Sequence, residues 1–423
     1  VAGVRARLTR RWRALLRPPP GRRLPRELRP PQVAAAAESL AGGVRDPAFE
    51  VLLRQIDRAP LHKGDDVQLF FDGERALEAM FAAVAAARSE VLVESYILRD
   101  DATGQALLQA LTAAARRGVR VRVLADALGS SRTRAAFWDE MRRSRIEVRL
   151  FHRLLPYLWA QAFRDHRKIL VVDRRVGFTG GMNIADEYGS ARRARGGLWR
   201  DTHARVEGPT AWELAVVFSE GWTRAGGDAL ALDPLRPAPR PGPRILVLDS
   251  RPGRGHQESA SVFAALLGAA RRRVLVTNSY FVPLAGTRRA LARAAARGVR
   301  VRLLLPGRSD VPLVRHAGHG LYAGLLARGV RIWEYGEAVL HAKTLVVDGY
   351  ASVVGSSNLD ARSFRFNAEC NLVVLDGATG ERLERAFDRD LAASAEVTAA
   401  RWARRGAWHR IGDACAALLA PAL

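Results

Sequence analysis

The sequence predicts an α/β chain made of two similar domains, each a mostly parallel or mixed β-sheet flanked by helices, related by a pseudo-two-fold so that one active site lies at their interface. Three observations carry this. Apolar β-branched runs alternate with Ala/Leu-rich stretches in the same order twice, as in sheets covered by helices. A short pattern containing histidine and lysine recurs 175 positions further on. Between the copies, residues 233–243 hold five prolines, which neither a helix nor a central strand accommodates.

In order along the chain, residues 1–45 read as a basic N-terminal tail, with ten arginines between Arg5 and Arg29 interleaved with Trp12, Leu15 and Leu16. Residues 46–232 form the first expected domain. In it the strand from Glu90 to Tyr96 is followed by an Ala/Leu-rich helix, a turn at Gly118 and the strand from Val119 to Leu124. Residues 233–243 are the linker. Residues 244–423 repeat the order, with Arg273 to Tyr280 echoing the first strand and Val299 to Leu304 the second.

The repeated pattern is His-x-Lys-x4-Asp-x6-Gly-(Gly/Ser)-x-Asn: His166, Lys168, Asp173 and Asn183 in one copy, His341, Lys343, Asp348 and Asn358 in the other. One copy alone would be weak; two extended copies are not a chance match. The chain has three lysines among 67 basic residues, and two of them sit in this pattern, which marks positions where a compact three-donor ammonium is needed. The apolar stretches 169–172 and 344–347 argue strand, so that His and Lys, two apart, share a face. Turns at residues 173–175 and 348–350 then send a second strand back, bringing Asn183 beside His166 and Asn358 beside His341. Imidazole, ammonium and amide converge as a tetrahedral phosphate requires. Asp173 and Asp348, at the strand ends with opposite parity, are expected to serve turns or ion pairs within the motif. Two histidines suit covalent phosphoryl chemistry, one attacking phosphorus while the other moves the alcohol proton.

These residues resemble the paired motif of the phospholipase D superfamily. Tyr280-Phe281-Val282-Pro283, residues 329–335 leading to Leu340-His341-Ala342-Lys343, residues 355–364, Asn367-Ala368-Glu369, residues 180–187 and 199–203 are similar to the bacterial cardiolipin synthases, and the likeness covers about residues 65–423. The resemblance implies a phosphatidyltransferase that joins two phosphatidylglycerol molecules through a phosphohistidine, releasing glycerol. It implies that His166 attacks while His341 is acid and base, although the internal symmetry leaves their order open. It also implies that Lys168, Lys343, Asn183, Asn358 and Ser356 bind phosphate. A carboxylate some thirty residues after each histidine orients the ring in such enzymes: Asp201 in the first half, displaced by the insertion 190–197, and Glu369 in the second. A carboxylate on the far imidazole nitrogen fixes the tautomer. Two departures stand out. Gly181 takes the place of Ser356, and Thr277-Asn278-Ser279-Tyr280 replaces a Thr-Pro-Tyr run. The chain resembles the shorter branch that lacks N-terminal transmembrane helices.

The formal charge is +24, and a polybasic segment gains on the order of 1 kcal/mol per side chain at an anionic bilayer. With no run of eighteen apolar residues, the expected protein is peripheral, on the cytoplasmic face of the bacterial inner membrane, with anionic phospholipid as its partner, no obligatory protein partner and no nucleic acid. Residues 151–163 are an apolar, aromatic stretch suited to a lip against acyl chains or to a buried segment, and residues 408–419 to a helix on lipid or on the second domain. Cys370 and Cys415 are too few for a disulfide framework. His316 and His319, three apart, have no evident partners, so no metal and no cofactor are expected. Within the superfamily, hydrolysis to phosphatidic acid or nuclease action would use the same residues; a non-catalytic lipid-binding scaffold would not need them.

Overall fold

The computed structural model describes residues 24–152, 163–189, 199–233, 241–250, 256–406, 409, 412–413 and 415–416. The arginines before Leu24, residues 153–162 of the apolar lip, the insertion 190–197, residues 234–240 of the linker and most of residues 407–423 lie outside the described residues.

Strand β1 (Leu61–Lys63) is followed by β2 (Asp66–Phe70), β3 (Glu90–Ser95), β4 (Arg120–Asp126), β5 (Glu147–Phe151), β6 (Lys168–Val172), β7 (Val176–Gly180) and β8 (His203–Glu207). The second half supplies β9 (Arg244–Ser250), β10 (Arg273–Asn278), β11 (Arg300–Pro306), β12 (Arg331–Tyr335), β13 (Lys343–Val347), β14 (Ala351–Gly355), β15 (Glu369–Leu375) and β16 (Ser394–Val397). One sheet has the order β2-β8-β7-β6-β3-β4-β5. The other has β9-β15-β14-β13-β10-β11-β12, with β1 and β16 added at its two edges. The orders superimpose strand for strand, so the sequence repeat is a structural repeat. Only β3-β4-β5 and β10-β11-β12 are parallel; the strands that follow the motifs are antiparallel, and the sheets are mixed.

The hydrophobic pattern decides the layering. Helices Gly73–Ala86, Ala102–Arg116 and Ala135–Arg143 cover one face of the first sheet through Leu77, Met80, Leu107, Leu111, Phe137 and Met141. The opposite faces of both sheets share one core, where Leu92, Ile169 and Val171 meet Leu275, Val346 and Leu372 around helices Pro209–Arg224 and Gly377–Ala392. Helix Pro209–Arg224 starts with Pro at its first turn after Gly208 at φ 138° and buries Leu214, Phe218 and Trp222, as a helix held between two sheets must.

The domain boundaries differ from the sequence expectation at the N-terminal end. Helices Pro30–Glu38 and Pro47–Asp57 pack Val33, Ala37, Phe49, Leu53 and Ile56 into the core of the second sheet, and β1 pairs antiparallel with β9. Residues 24–63 therefore belong with the second half, and the chain crosses to the first only at β2. The local reason is legible: Asp46 caps its helix by accepting from Ala48 N–H at 3.0 Å ahead of Pro47, and Phe49, Leu53 and Ile56 then repeat at helical spacing. The dense arginine ahead of these residues, from Arg5 to Arg29, drew them into a basic tail and obscured an amphipathic pair.

Asp173 and Asp348 show why each motif carries an aspartate at the end of its first strand. Asp173 and Arg174 (φ 51° and 55°), like Asp348 and Gly349 (55° and 67°), make the left-handed turn that a tight hairpin needs and that Asp tolerates. The Asp173 carboxylate accepts from the N–H groups of Arg88, Ser89 and Glu90 at 2.8–2.9 Å. Asp348 accepts from those of Arg271, Arg272 and Arg273 at 2.7–2.8 Å. Burial works to raise the Asp173 pKa, but these donors outweigh it and hold the group below its ordinary value. Each aspartate clamps its hairpin to the start of the neighbouring central strand, about 16 Å of strand away from the lysine of its motif.

Candidate active site

Lys168 opens β6 and Lys343 opens β13, so each histidine lies just ahead of a central strand. The two segments are fixed by backbone bonds that cross between the halves. His166 N–H donates to Ala368 O at 2.9 Å and Ala368 N–H to Arg164 O at 2.8 Å. His341 N–H donates to Arg200 O at 2.7 Å and Arg200 N–H to Val339 O at 2.9 Å. Each histidine is thus threaded against the residue preceding the carboxylate of the other half.

The side chains follow. Nδ1 of His166 lies 3.0 Å from Oε2 of Glu369, and Nδ1 of His341 lies 2.7 Å from Oδ2 of Asp201. This corrects the within-half pairing expected from the sequence: Asp201 serves His341, and Glu369 serves His166. Chain proximity suggested the wrong partner because the crossing bridges join segments some 140 to 203 residues apart. With both Nδ1 atoms engaged, both Nε2 atoms are left for chemistry.

Both histidines, both lysines and both carboxylates are buried. Burial, reinforced by Lys168, Lys343 and His341, drives His166 well below the usual histidine value. Burial and Lys343 also lower His341, with Asp201 opposing. Burial brings Lys168 down to about 7 and Lys343 to about 8. Lys168 Nζ donates to His166 O at 2.6 Å, and Lys343 Nζ reaches both the carbonyl and Nδ1 of His341. The carboxylates differ. Burial raises Glu369 to about 7 against the opposing Lys168 charge. Asp201 stays below its ordinary value, because Lys343 and His341 outweigh burial.

Ser356, expected on the phosphate, instead supports Glu369. Its hydroxyl donates to Glu369 Oε2 at 2.6 Å, while Ser363 Oγ at 2.7 Å and Asn367 Nδ2 at 3.2 Å bond to Oε1. The glycine in the first copy has a steric reason: a Cβ at Gly181 would sit 2.1 Å from Asp201 Oδ1. The shorter acid leaves no room for a serine. Asn183 and Asn358 are anchored by their amide oxygens, one accepting from Ile97 N–H at 3.2 Å and the other from Ser279 Oγ at 2.7 Å, so that each NH2 group keeps its role as a donor. The unusual Asn278-Ser279 pair is accounted for as well, since Asn278 Oδ1 accepts from Leu359 N–H at 3.0 Å: both residues hold the loop that carries Asn358.

Residues 80–192 and 263–391 match the family described as "Cardiolipin synthase, PLD-like domain". A cardiolipin synthase of Geobacillus kaustophilus is 34% identical over 378 residues, covering 88% of this chain and 75% of that protein. The chain belongs to the cardiolipin synthase family. A second member, cardiolipin synthase A of Pseudomonas putida, is 35% identical over 372 residues, 87% of this chain and 77% of that one. Among solved structures, the phosphatidylserine synthase of Haemophilus influenzae superposes with a TM-score of 0.68 over 88% of this chain and 96% of that chain, at 12% identity. A polyphosphate kinase from Porphyromonas gingivalis does so at 0.55 over 83% and 50%, at 16% identity. These two likenesses concern the fold.

Within this family member, several site residues escaped the sequence reading. Tyr188 Oη lies 2.9 Å from His341 Nδ1, and Trp199 packs at 5.2 Å between ring centroids from the same imidazole. Tyr96 meets His166 edge-on at 4.9 Å. The repeated strand-end tyrosines were the available signal for Tyr96 and Tyr280. Arg167, between His166 and Lys168, points to the opposite face, pairing with Glu94 of β3 at 3.4 Å and with Asp249 of β9, and so ties the two sheets beneath the site. His316 and His319 do have partners: Asp413 lies 2.8 Å from His316 and Glu334 2.9 Å from His319, with Arg405 on Asp413 and Arg315 on Glu334.

Proposed function

We propose that this protein is a phosphatidyltransferase that makes cardiolipin from two phosphatidylglycerol molecules through a phosphohistidine. His166 Nε2 attacks phosphorus, the P–O bond to glycerol breaks, and the departing oxygen takes a proton from His341 Nε2. The terminal hydroxyl of the second lipid then gives its proton to His341 and attacks phosphorus, releasing His166 and completing the product. Lys168, Lys343, Asn183 and Asn358 would hold the phosphate oxygens. The anionic phosphodiester would restore full charge to lysines that burial has depressed.

The observation that carries this reading is the crossed pair of imidazoles, each with Nδ1 on a carboxylate of the other half and Nε2 without a hydrogen-bond partner among the described residues, beside both motif lysines. His166, buried among cations, favours the neutral form a nucleophile needs. His341, with an ionised Asp201 at 2.7 Å, has the partner that steadies an imidazolium. The net charge of +24 supports a place on an anionic bilayer, peripheral and on the cytoplasmic face of the bacterial inner membrane. No helix among the described residues is long and apolar enough to cross one. This reading requires neither a protein partner nor nucleic acid.

The test is product analysis by mass spectrometry after incubation with phosphatidylglycerol vesicles in EDTA, beside His166→Ala and His341→Ala. Cardiolipin and free glycerol, lost in both variants, are expected. Phosphatidic acid alone would make the enzyme a hydrolase.

A further inference from the structure

An exposed carboxylate stands at the mouth of a site otherwise built to hold an anion. Asp310 lies in the loop between β11 and helix Pro312–Leu326, past the end of β11, which runs parallel to β10; the last residue of β10, Asn278, pairs with Lys343. Tyr280, two residues past β10, presents its ring edge-on to His341 with centroids 6.1 Å apart. Its hydroxyl donates to Asp310 Oδ2 at 2.6 Å. Among the described residues no other hydrogen-bond donor and no cation within ion-pair distance meets Asp310, which leaves Oδ1 open to solvent. The acid is near enough that its charge raises the basicity of both His341 and Lys343.

A bare carboxylate beside a phosphate-binding site repels that phosphate, so its position makes sense only if the group it meets is a hydrogen-bond donor without negative charge. A carboxylate accepts from hydroxyls, and with Oδ2 held by Tyr280 the open Oδ1 can take one hydroxyl of a polyol. The proton-transfer histidine adjoins the place where the alcohol leaves and where the next alcohol attacks, so both alcohols pass the same acid.

We infer that Asp310, positioned by Tyr280, is the alcohol-selecting residue of this enzyme, reading the hydroxyls of a polyol head group as it departs and as it arrives. The inference rests on the phosphatidyl-transfer reading and deepens it. Polyol alcohols are selected over monohydric ones because only a polyol offers a second hydroxyl to Oδ1 after the first has been placed against His341.

The test is a competition within one tube. Full-length enzyme is given dioleoyl-phosphatidylglycerol vesicles with deuterated glycerol and ethanol, and labelled phosphatidylglycerol and phosphatidylethanol are counted by mass spectrometry. In Asp310→Ala the ratio of glycerol product to ethanol product falls about tenfold or more, whatever the loss in total turnover, as removal of a hydrogen bond to a charged group implies. Asp310→Asn, which keeps one acceptor and is the variant to read if the alanine form folds poorly, falls by less. Tyr280→Phe lowers the ratio a few-fold by freeing the carboxylate. A purely structural role would reduce both products together. A ratio within twofold of wild type in Asp310→Ala and Asp310→Asn would overturn the inference. Wild-type enzyme forming neither product, with water the only acceptor, would overturn the transfer reading and this inference with it.

Discussion

The two histidine–carboxylate pairs are built on matching strands, yet they hold protons differently. Glu369 is wrapped by neutral donors, Ser356, Ser363 and Asn367, and burial takes it to about 7. Asp201 has no serine beside it, accepts from Thr202 N–H at 2.7 Å, and is held ionised chiefly by Lys343 and His341. Around the histidines the asymmetry continues, since Tyr188, Lys343 and Asp201 all reach His341 Nδ1, whereas Glu369 reaches that of His166. A duplicated fold thus supplies two positions of one geometry, and a one-carbon difference in the acid with its surroundings separates them, in the proposed cycle, into a nucleophile and a proton carrier.

The sharpest way to break that division is to remove the need for an acid. His166→Ala and His341→Ala should each lose about 10⁴-fold or more in turnover on phosphatidylglycerol. With a phosphatidyl donor whose leaving group needs no proton, such as p-nitrophenol, His341→Ala should recover a stoichiometric burst and His166→Ala should not. A burst in His166→Ala instead would reverse the roles.

Next in size is the carboxylate contrast. Asp201→Asn should lower kcat by about 10³-fold. Because Asp201 raises the basicity of His341, its loss should also move the alkaline limb of the kcat/KM profile to lower pH. Burial raises Glu369 toward its neutral form, so Glu369→Gln should cost only about tenfold; equal losses in the two variants would erase the distinction.

His203 and Asn371 occupy matching places, two residues past Asp201 and Glu369. Asn371 bonds to Ser357 at 2.8 Å. His203 is buried, its Nδ1 has no hydrogen-bond partner among the described residues, and burial lowers its pKa to about 4. A histidine depressed in the folded state leaves stability intact above the unfolded value of about 6.5 and removes it as pH falls toward the folded value. Denaturant titrations from pH 7 to 4 should show His203→Asn losing about 3 kcal/mol less than wild type; parallel profiles would contradict this.

Smallest is the effect of Asp173→Asn, which keeps the left-handed turn but weakens the clamp on residues 88–90. It should reduce stability by about 1–2 kcal/mol with kcat on remaining folded enzyme near wild type, whereas loss of turnover without loss of stability would return Asp173 to the chemistry.

The duplicated sheets and motifs were legible because strand runs, Gly turns and paired motifs are local features repeated at fixed spacing. The hairpins that lead to Asn183 and Asn358 were legible from their turn residues and length. The exchange of Asp201 and Glu369 was not, because it depends on backbone bridges between Asp165 and Ala368 and between Arg200 and Leu340, which leave no periodic trace. Nor was the placement of Leu53 and Ile56 against the second sheet, since an amphipathic helix announces that it packs but not against what. Ser356 misled for a related reason: a hydroxyl beside a phosphate site can serve the ligand or the acid behind the histidine, and only the position of Glu369 separates the two.

In the proposed cycle one site serves both steps, His166 taking the phosphatidyl group while His341 handles protons. The direct measurement is peptide mass spectrometry after alkaline quench of His341→Ala mixed with an activated phosphatidyl donor. A phosphatidyl adduct on the peptide containing His166, absent in His166→Ala, is the predicted result. An adduct on His341 in the otherwise intact enzyme, or cardiolipin formed by His166→Ala, would contradict it.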